Sequence, residues 1–376
     1  MRIAFLVERP TQFEAPFYRF AAQDPAHELR VLFTGGPGLA GPVFDPELGT
    51  AVSWGIDLLG GYPSEICPAN GAATWLSERL RPERCDLLIA NGYTQPLYRL
   101  GTRIARQAGI ATALRLDSAL FDGSLIRNLA KRLLFALYMK RTYDLFLGVG
   151  SLTLEYLKAF GVPAERTGLF PYAVDVDDFR QRSRLSPEER AAMRSRLGVP
   201  AGAQVILSLA KLSPREAPWD LLRAFARLEA GSAWLVLAGD GPERPALEKA
   251  AGPQVRFPGY IPYLELPALY AAADLFVHPA REERWGVSVQ EALACGLPVI
   301  ASSRVGAAFD LVEMGGNGFL YATGNDTELS ARLGDALALP PERVRAASAS
   351  VLARWDYAAA WGGLLAAADR VTGGRK

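Results

Sequence analysis

Short apolar runs alternate with amphipathic stretches along most of the chain. In the first half, continuous apolar runs predict buried strands at RIAFLVE (2–8), LRVLFT (29–34), DLLIANG (86–92), TALRLD (112–117) and DLFLGVG (144–150). A helical spacing of apolar positions predicts helices between them, such as residues 98–109 and 128–142. Buried strands separated by helices are typical of a parallel sheet covered on both faces. The first half therefore predicts a doubly wound α/β domain.

The same alternation stops near Phe170 and resumes at VILSLA (205–210), followed by WLVLAG, VRFPG, DLFVHP, PVIAS and GFLY. The chain thus predicts an α/β protein of two Rossmann-like domains, residues 1–172 and 173–355. Ser186 followed by Pro-Glu-Glu predicts a helix start, with serine as N-cap and proline in the first turn. Residues 356–371 predict a final amphipathic helix. Ligands of such sheets bind outside the carboxyl ends of the strands, so we expect a cleft between the domains.

Composition narrows the protein class. Half of the 376 residues are hydrophobic and the net charge is +1, which indicates a globular protein without a global affinity for nucleic acid. The three cysteines, Cys67, Cys85 and Cys295, lack metal or disulfide spacing and are predicted to be buried thiols in a reducing compartment. The start MRIAFLVERP predicts a strand and not a signal peptide. We therefore expect a cytoplasmic protein. Peripheral contact of the protein with the inner face of the membrane is a further possibility.

The most informative segment runs from His278 to Ser302. Its pattern is strand, glycine-bearing loop, helix and strand, with Glu283 and Glu291 on either side of seven residues that include Gly286. Backbone N–H groups at a helix N-terminus favour an anion, so the loop at Gly286 is a candidate phosphate site. Without further context, two glutamates at this spacing could instead be solvated residues on a surface helix.

The E-x7-E pattern followed by ALACGLPVIAS resembles the signature of the retaining family 4 glycosyltransferases of GT-B fold. Further matching segments follow in the family's order: 205–228, 235–242, 255–280 and 303–321. The resemblance implies two Rossmann-like domains facing each other across a cleft, with residues 356–376 packing back on the N-terminal domain. It implies retaining, metal-independent transfer of a hexose-type sugar from a nucleoside-diphosphate donor, of UDP or GDP type, to a hydroxyl acceptor. The acceptor would be a glycan, a glycolipid or a secondary metabolite, and no cofactor is expected.

The resemblance also implies residue roles. Glu283 would contact hydroxyls of the donor sugar and Glu291 those of the ribose. Backbone amides of Gly286, Val287 and Ser288 would meet the phosphates. Lys211 lies where the family usually has an arginine on the diphosphate, with a strand-end surface lysine as the alternative. Tyr260 and Ile261 would lie in the loop near the base of the nucleotide. The alternative for Tyr260 is a role in packing only.

One departure from the family concerns a lysine-glycine pair that usually lies five positions after that arginine. This chain has Glu216 and Ala217 there. A carboxylate repels a diphosphate, so either Arg215 takes over phosphate binding or Glu216 points away. A third alternative is a non-catalytic nucleotide-sugar-binding scaffold. A phosphorylase or sugar-phosphate synthase would need a basic cluster in the N-terminal domain, and the sequence offers no clear one.

Candidates in and near the predicted cleft are less specific. Asp117 follows the strand after which the family often has a histidine, and it could bind hydroxyls or accept a proton, or cap a helix. His278 ends a strand and is either a cleft residue or a structural histidine. The first strand opens into ERPTQFEAPFYR in place of a glycine-rich loop, where Thr11 and Gln12 are polar candidates for acceptor binding.

Two features favour ordinary structural interpretations. Asp175 and Asp177 resemble a metal-binding D-x-D, but their segment favours a helix cap. Helix 128–142 mixes basic and large apolar residues, which predicts a core-facing helix with a solvated basic side; a membrane-surface face is the alternative. The basic residues are Lys131, Arg132, Lys140 and Arg141.

Overall fold

The apolar runs form strands because their side chains can be buried on both faces of a parallel sheet. The computed structural model describes residues 1–35, 43–45, 50–52, 55–121, 125–228, 231 and 233–373. The elements before the middle of the chain are β1 (Arg2–Val7), α1 (Glu14–Ala21), β2 (Glu28–Phe33), β3 (Val43–Asp45), β4 (Thr50–Val52), β5 (Ser64–Ile66), α2 (Ala72–Arg79), β6 (Leu87–Ala90), α3 (Pro96–Gln107), β7 (Ala111–Leu116), α4 (Leu125–Leu134), α5 (Lys140–Thr142), β8 (Leu145–Gly148), α6 (Ser151–Ala159) and β9 (Thr167–Leu169).

The later elements continue the strand–helix alternation. They are α7 (Val176–Arg182), α8 (Pro187–Arg196), β10 (Gln204–Leu209), α9 (Pro218–Ala226), β11 (Ala233–Ala238), α10 (Arg244–Ala250), β12 (Val255–Gly259), α11 (Leu266–Ala272), β13 (Leu275–His278), α12 (Val287–Ala294), β14 (Val299–Ser302), α13 (Gly306–Leu311), β15 (Gly318–Tyr321), α14 (Asp326–Leu337), α15 (Pro341–Leu352) and α16 (Tyr357–Thr372). A π-helical segment, Phe135–Met139, joins α4 to α5, and short 3-10 turns lie at Ala164–Arg166 and Tyr263–Glu265.

The chain divides into two compact units. The first contains Met1–Ala40, Asp57–Val174 and Tyr357–Lys376. Within its described residues the sheet order is β5-β2-β1-β6-β7-β8-β9, and every neighbouring pair is parallel. All five apolar runs predicted in this half form strands of this sheet. The order reverses between β1 and β6, which brings the loops after these two strands together.

The final helix, α16, belongs to the first unit and packs on β9 and α1. The Trp361 indole Nε1 donates to Asp24 Oδ2 at 2.8 Å, and Trp361 also contacts the Phe17 ring edge to face. The apolar face of this helix therefore completes the core beside the last strand.

The second unit contains Gly41–Ile56 and Asp175–Asp356. Its parallel sheet has the order β12-β11-β10-β13-β14-β15 within the described residues, while β3 and β4 pair as an antiparallel hairpin. The strand order reverses between β10 and β13, so the carboxyl ends of these two strands are neighbours. Leu235, Val277 and Ile300 are fully buried in the core between this sheet and its helices.

Two predicted helix starts are confirmed. Ser186 and Glu189 form a reciprocal capping box at α8, with Ser186 Oγ accepting from the Glu189 amide at 3.2 Å. Asp175 Oδ1 accepts from the Asp178 amide at 2.9 Å and caps α7. These contacts satisfy backbone N–H groups that a helix leaves without partners.

The prediction of three buried thiols is partly wrong. Cys85 is buried, but Cys67 and Cys295 are partly exposed, and all three cysteines are free thiols. Cys67 lies just after β5, which is the edge strand of its sheet in the described part of the chain, so no described strand pairs with its outer side. Within the described part of the chain, the helices are too short or too polar to cross a bilayer.

Candidate functional site

The N-terminus of α12 is the centre of the candidate site. Gly286 is the N-cap residue, with φ 95° in the left-handed region that favours glycine. A Cβ at this position would lie 3.1–3.3 Å from Val305, Glu283 and His278. Because Gly286 has no side chain to cap the helix, the amides of the first turn, starting at Val287 and Ser288, are available to an anion.

Backbone hydrogen bonds on both sides hold Glu283 beside this helix start. Its amide donates to the Arg304 carbonyl at 2.9 Å, and its carbonyl accepts from the Gly306 amide at 2.9 Å. Glu283 Oε1 accepts from the Trp285 amide at 3.3 Å. The carboxylate is half-buried, so it is positioned by the loop and not freely solvated.

Glu216 lies at the same place, although 67 positions separate it from Glu283 in the sequence. Glu216, His278 and Glu283 each have a side-chain oxygen or nitrogen within 4.8 Å of the others. Glu216 is 5% exposed. Its inward position rules out the alternative in which this carboxylate points away from the site.

Arg215 partly neutralises Glu216. Arg215 Nη2 lies 2.7 Å from Glu216 Oε1, and the arginine side chain itself is more than half exposed. Burial raises the pKa of Glu216 to about 7, aided by the charge of Glu283 and opposed by the charges of Arg215 and Lys211. The charge of Lys211 also acts on Glu216, and its contact with a diphosphate stays a prediction.

His278 is buried at the end of β13. Burial lowers its pKa below the usual value, so the ring is neutral at pH 7, although the charge of Glu283 opposes this. Among the described residues, its buried Nδ1 has no hydrogen-bond partner. An unpaired buried ring nitrogen costs free energy, which favours His278 as a site residue over a structural histidine.

Ala217 begins α9 in a strained conformation. Its φ is 51° and its ψ is 46°, and among the described residues it is the one non-glycine with φ in this left-handed region. The steric cost of this region for an L-residue with a Cβ is about 1–2 kcal/mol. The glycine that the resemblance implies here would avoid this cost.

The loop that carries Lys211 lies against the turn after β11. The Leu212 amide donates to the Asp240 carbonyl at 2.8 Å. A Cβ at Gly239, whose φ is 127°, would lie 2.0 Å from the Ala210 carbonyl oxygen. Gly239 thus permits the close backbone approach that fixes the loop, in the connection between β11 and α10.

Glu291 lies inside α12 and is 4% exposed. The Tyr270 hydroxyl donates to Glu291 Oε2 at 2.8 Å. Burial raises the pKa of Glu291 to about 7, opposed by this hydrogen bond. The alternative of a solvated surface glutamate is therefore wrong for this residue.

Tyr260 and Ile261 follow β12 in a loop tied to its neighbour by a hydrogen bond from the Gly239 amide to the Gly259 carbonyl at 2.8 Å. Ile261 is buried and Tyr260 half-buried, and burial raises the pKa of the Tyr260 hydroxyl. Both residues can pack against a flat ligand, and base binding stays a prediction.

The remaining candidates belong to the first unit. Thr11 Oγ1 donates to Glu14 Oε2 at 3.3 Å and accepts from the Glu14 amide at 3.2 Å, so its side chain is engaged at the start of α1. Gln12 is half-buried in the same turn. Asp117 lies directly after β7, but α4 begins only at Leu125. The alternative of Asp117 as a helix N-cap is wrong, because the chain continues without helix through residue 121.

Sequence reasoning missed a buried ion pair at the equivalent edge of the first sheet. Arg115 Nη1 donates to Glu14 Oε1 at 2.9 Å, and both side chains are almost fully buried. Arg115 also donates to the carbonyls of Phe170 and Pro171, and its guanidinium lies 4.1 Å from the centre of the Phe170 ring. The signal was an arginine in the otherwise apolar run TALRL, which requires a buried partner.

Both aspartates of the D-x-D pattern have other partners in the structure. Asp175 caps α7, while Asp177 is exposed and pairs with Arg180 at 2.6 Å. Among the described residues, the set of side chains that could converge on an ion is Glu216, His278 and Glu283.

Comparison with known proteins agrees with this geometry. Residues 189–350 match the family model described as "Glycosyl transferases group 1". A D-inositol 3-phosphate glycosyltransferase of Thermobispora bispora is 34% identical over 224 residues, covering 54% of this chain and 50% of the relative. A GDP-mannose-dependent alpha-mannosyltransferase of Mycobacterium tuberculosis is 34% identical over 262 residues, covering 68% and 65%. The chain thus spans about half of the first relative's length and 65% of the second's.

The similarity in structure covers nearly the whole chain. The crystal structure of Anabaena Alr3699/HepE in complex with UDP has a TM-score of 0.75 at 21% identity and covers 97% of this chain and 99% of that protein. At this identity the likeness shows the fold, which confirms the predicted pair of Rossmann-like domains. The chain therefore has the GT-B fold, and its residues 189–350 match the glycosyl transferases group 1 family.

Proposed function

We propose that the protein is a hexosyltransferase that moves a sugar from a nucleoside-diphosphate donor to a hydroxyl acceptor, with retained anomeric configuration and without a bound metal or cofactor. One observation carries the proposal: the first turn of α12 is uncapped by any side chain of its own N-cap, and Glu283 and Glu291 lie on either side of it. Such a turn binds phosphate, and the two carboxylates can accept hydrogen bonds from hydroxyls of the sugar and ribose.

Each residue has a role in this proposal. The α12 amides, Lys211 and the exposed guanidinium of Arg215 stabilise the charge that develops on the departing diphosphate. Glu291 accepts hydrogen bonds from the ribose hydroxyls, and Glu283 orients the donor sugar where positive charge develops. Asp117, at the end of β7, is the candidate in the first unit for binding a hydroxyl or accepting a proton.

The relatives support a donor of UDP or GDP type. One relative is named for GDP-mannose, and the solved structure of similar fold holds UDP. A second relative is named for D-inositol 3-phosphate, which agrees with a hydroxyl-rich acceptor. Thermal-shift measurements with UDP, GDP and ADP test the donor base, because a ligand that binds only the native state raises its melting temperature. The absence of any shift would contradict the proposal.

Stereochemistry and turnover require separate experiments. NMR of the product from the donor that binds should show the anomeric configuration of that donor. An inverted product would contradict the retaining mechanism. The alternative function, a nucleotide-sugar-binding scaffold, follows from Glu216 near the phosphate site. A scaffold would bind nucleotide and release none from a sugar donor, whereas the enzyme would release nucleoside diphosphate with an acceptor present.

We also propose peripheral contact with an anionic membrane at the cytoplasmic face. Leu129, Leu133 and Leu137 form an exposed stripe along α4 and the π-helical segment, with exposures of 61%, 54% and 59%. The exposed Arg132 and Arg141 lie on the same helix. The solvated side of this helix therefore contains large apolar groups as well as the basic residues that the sequence predicted. Exposed leucines with adjacent cations match the headgroup region of an anionic bilayer.

Vesicle cosedimentation tests this contact. Vesicles containing phosphatidylglycerol should bind the protein, and pure phosphatidylcholine vesicles should bind it less. The variant with Leu129→Ser, Leu133→Ser and Leu137→Ser should lose most binding. Leu264→Ser is the matched control, because Leu264 is also an exposed leucine but lies on the other unit. Equal loss in both variants would contradict the proposal.

A further inference from the structure

The cluster of Glu216, His278 and Glu283 offers three hydrogen-bond acceptors and no donor cation of its own. One side-chain atom of each residue lies within 4.8 Å of the others. Glu216 and His278 are 5% and 4% exposed, and the buried Nδ1 of His278 has no partner among the described residues. Glu283 is fixed by backbone hydrogen bonds at both its amide and its carbonyl. The cluster is therefore a largely buried polar site, and one of its ring nitrogens has no partner among the described residues.

The three residues of the cluster have an excess of negative charge when both carboxyl groups are ionised. Two carboxylates contribute two negative charges, and the ion pair between Arg215 and Glu216 offsets one of them. His278 contributes none, since burial lowers its pKa. Burial also raises the pKa of Glu216 to about 7, so a nearby cation would stabilise its ionised form.

An ammonium group is compatible with the upper limit of 4.8 Å between the three side-chain atoms. Three acceptors bonded tetrahedrally to a nitrogen at about 2.9 Å lie roughly 4.7 Å from one another. A primary ammonium has three N–H donors, one for each residue of the cluster.

We propose that Glu216, His278 and Glu283 bind a primary ammonium group of an amino-sugar or aminocyclitol substrate. The inference rests on the proposed function for the position of the substrate, because the cluster adjoins Gly286 at the start of α12. It explains why a carboxylate can occupy the position of a lysine: the positive charge comes from the substrate. The ammonium belongs either to the donor sugar or to the acceptor.

Isothermal titration calorimetry with UDP and GDP first tests the nucleotide site alone. The donor arm then compares UDP-glucosamine with UDP-glucose. The acceptor arm compares glucosamine with glucose, titrated into free protein and into protein saturated with the nucleotide that binds. In one of the two arms, the amine should bind about tenfold to a hundredfold more tightly than the hydroxyl compound, as expected for charge-assisted hydrogen bonds.

Glu216→Gln removes the charge at nearly constant shape and should abolish the preference for the amine. Glu282→Gln is the matched control, because Glu282 is an exposed carboxylate one position from Glu283. It should keep the preference. His278→Phe tests the neutral acceptor and should reduce the preference severalfold without changing charge.

Each outcome decides the proposal. A preference in the donor arm or in the acceptor arm, lost in Glu216→Gln and kept in Glu282→Gln, supports it and identifies the source of the ammonium. Equal binding of amine and hydroxyl compounds, with nucleotide binding intact, overturns it and leaves the proposed function standing. If no nucleotide binds, the proposed function fails, and the titration of free protein with glucosamine and glucose still decides the ammonium site. Tight binding of Mn²⁺ that depends on Glu216 and His278 would overturn it in favour of a metal site.

Discussion

Replacing Glu291 by glutamine should have opposite effects on stability and on nucleotide binding. Glu291 is buried within α12 and has the Tyr270 hydroxyl as a hydrogen-bond donor. Glutamine has nearly the same shape and can accept the same hydrogen bond, but it cannot ionise. The substitution therefore removes the cost of a buried negative charge, together with any gain that this charge gives in ligand binding.

The magnitude follows from the pKa of the carboxyl group. Burial raises the pKa of Glu291 from 4.5 to about 7. At 1.36 kcal/mol per pH unit, this rise corresponds to about 3 kcal/mol. The native state keeps the proton to higher pH than the unfolded state, so the free energy of unfolding falls as pH rises from about 4.5 to about 7. Glu291→Gln should remove this fall and should stabilise the ligand-free protein at pH 8 but hardly at pH 4.5.

Urea unfolding followed by tryptophan fluorescence at pH 4.5 and pH 8 measures this difference. Glu282→Gln, which changes an exposed carboxylate, should behave like the wild type at both values. Tyr270→Phe removes the hydrogen bond to Glu291 and should make the fall in stability between the two pH values larger. The free energy of unfolding is compared between variants at each pH, so that general effects of pH cancel.

Calorimetry gives the binding half of the prediction. If Glu291 binds the ribose hydroxyls, Glu291→Gln should weaken nucleoside-diphosphate binding by roughly 1.5–3 kcal/mol, the range for hydrogen bonds to a charged group. A variant that is no more stable than the wild type at pH 8 would refute the argument from burial. Unchanged nucleotide affinity would remove Glu291 from the site.

Three further predictions concern the neighbouring loops. Ala217→Gly should raise the free energy of unfolding by roughly 0.5–1 kcal/mol, because glycine adopts φ 51° without steric cost. The control Ala346→Gly, in an exposed part of α15, should lower the free energy of unfolding by a similar amount. Thermal unfolding measures both variants, and a loss of stability in Ala217→Gly would contradict the strain at this residue. Glu283→Gln should lower kcat by a factor on the order of 10²–10³ with little change in nucleotide Kd. Equal effects on kcat and Kd would show that Glu283 does not act at the donor sugar, where the bond breaks. Transfer should continue in excess EDTA, and loss of activity restored by Mn²⁺ would identify a metal at Glu216 and His278.

Much of the fold could be predicted because strands buried on both faces are encoded locally. Runs such as residues 144–150 are apolar at successive positions, and the β8 strand lies within this run. The helix start at Ser186 was also predictable, since a capping box needs only residues three positions apart. Local patterns of this kind depend on a few neighbouring residues and on no distant contact.

Distant pairs and exposed faces could not be predicted in this way. Glu14 and Arg115 form their buried pair across 101 positions of sequence. Helical spacing identified an amphipathic helix at 128–142, but it could not decide which side would face the core. A π-helical segment at Phe135–Met139 rotates the following side chains relative to a continuous α-helix. Phe135 and Met139 are buried, whereas Leu133 and Leu137 are exposed.

The position of Glu216 could have been predicted by adding the strand order of the sheet to the local sequence patterns. Its loop follows β10, and the loop of His278 and Glu283 follows β13, with two strand–helix units between them in the sequence. In the sheet, however, β10 and β13 are neighbours, because the strand order reverses there. Ligands of doubly wound sheets bind at such a reversal, so the loops after these two strands should converge. The sequence predicted the two loops separately. Because their strands are neighbours in the sheet, the carboxylate of Glu216 lies in the same site as His278 and Glu283.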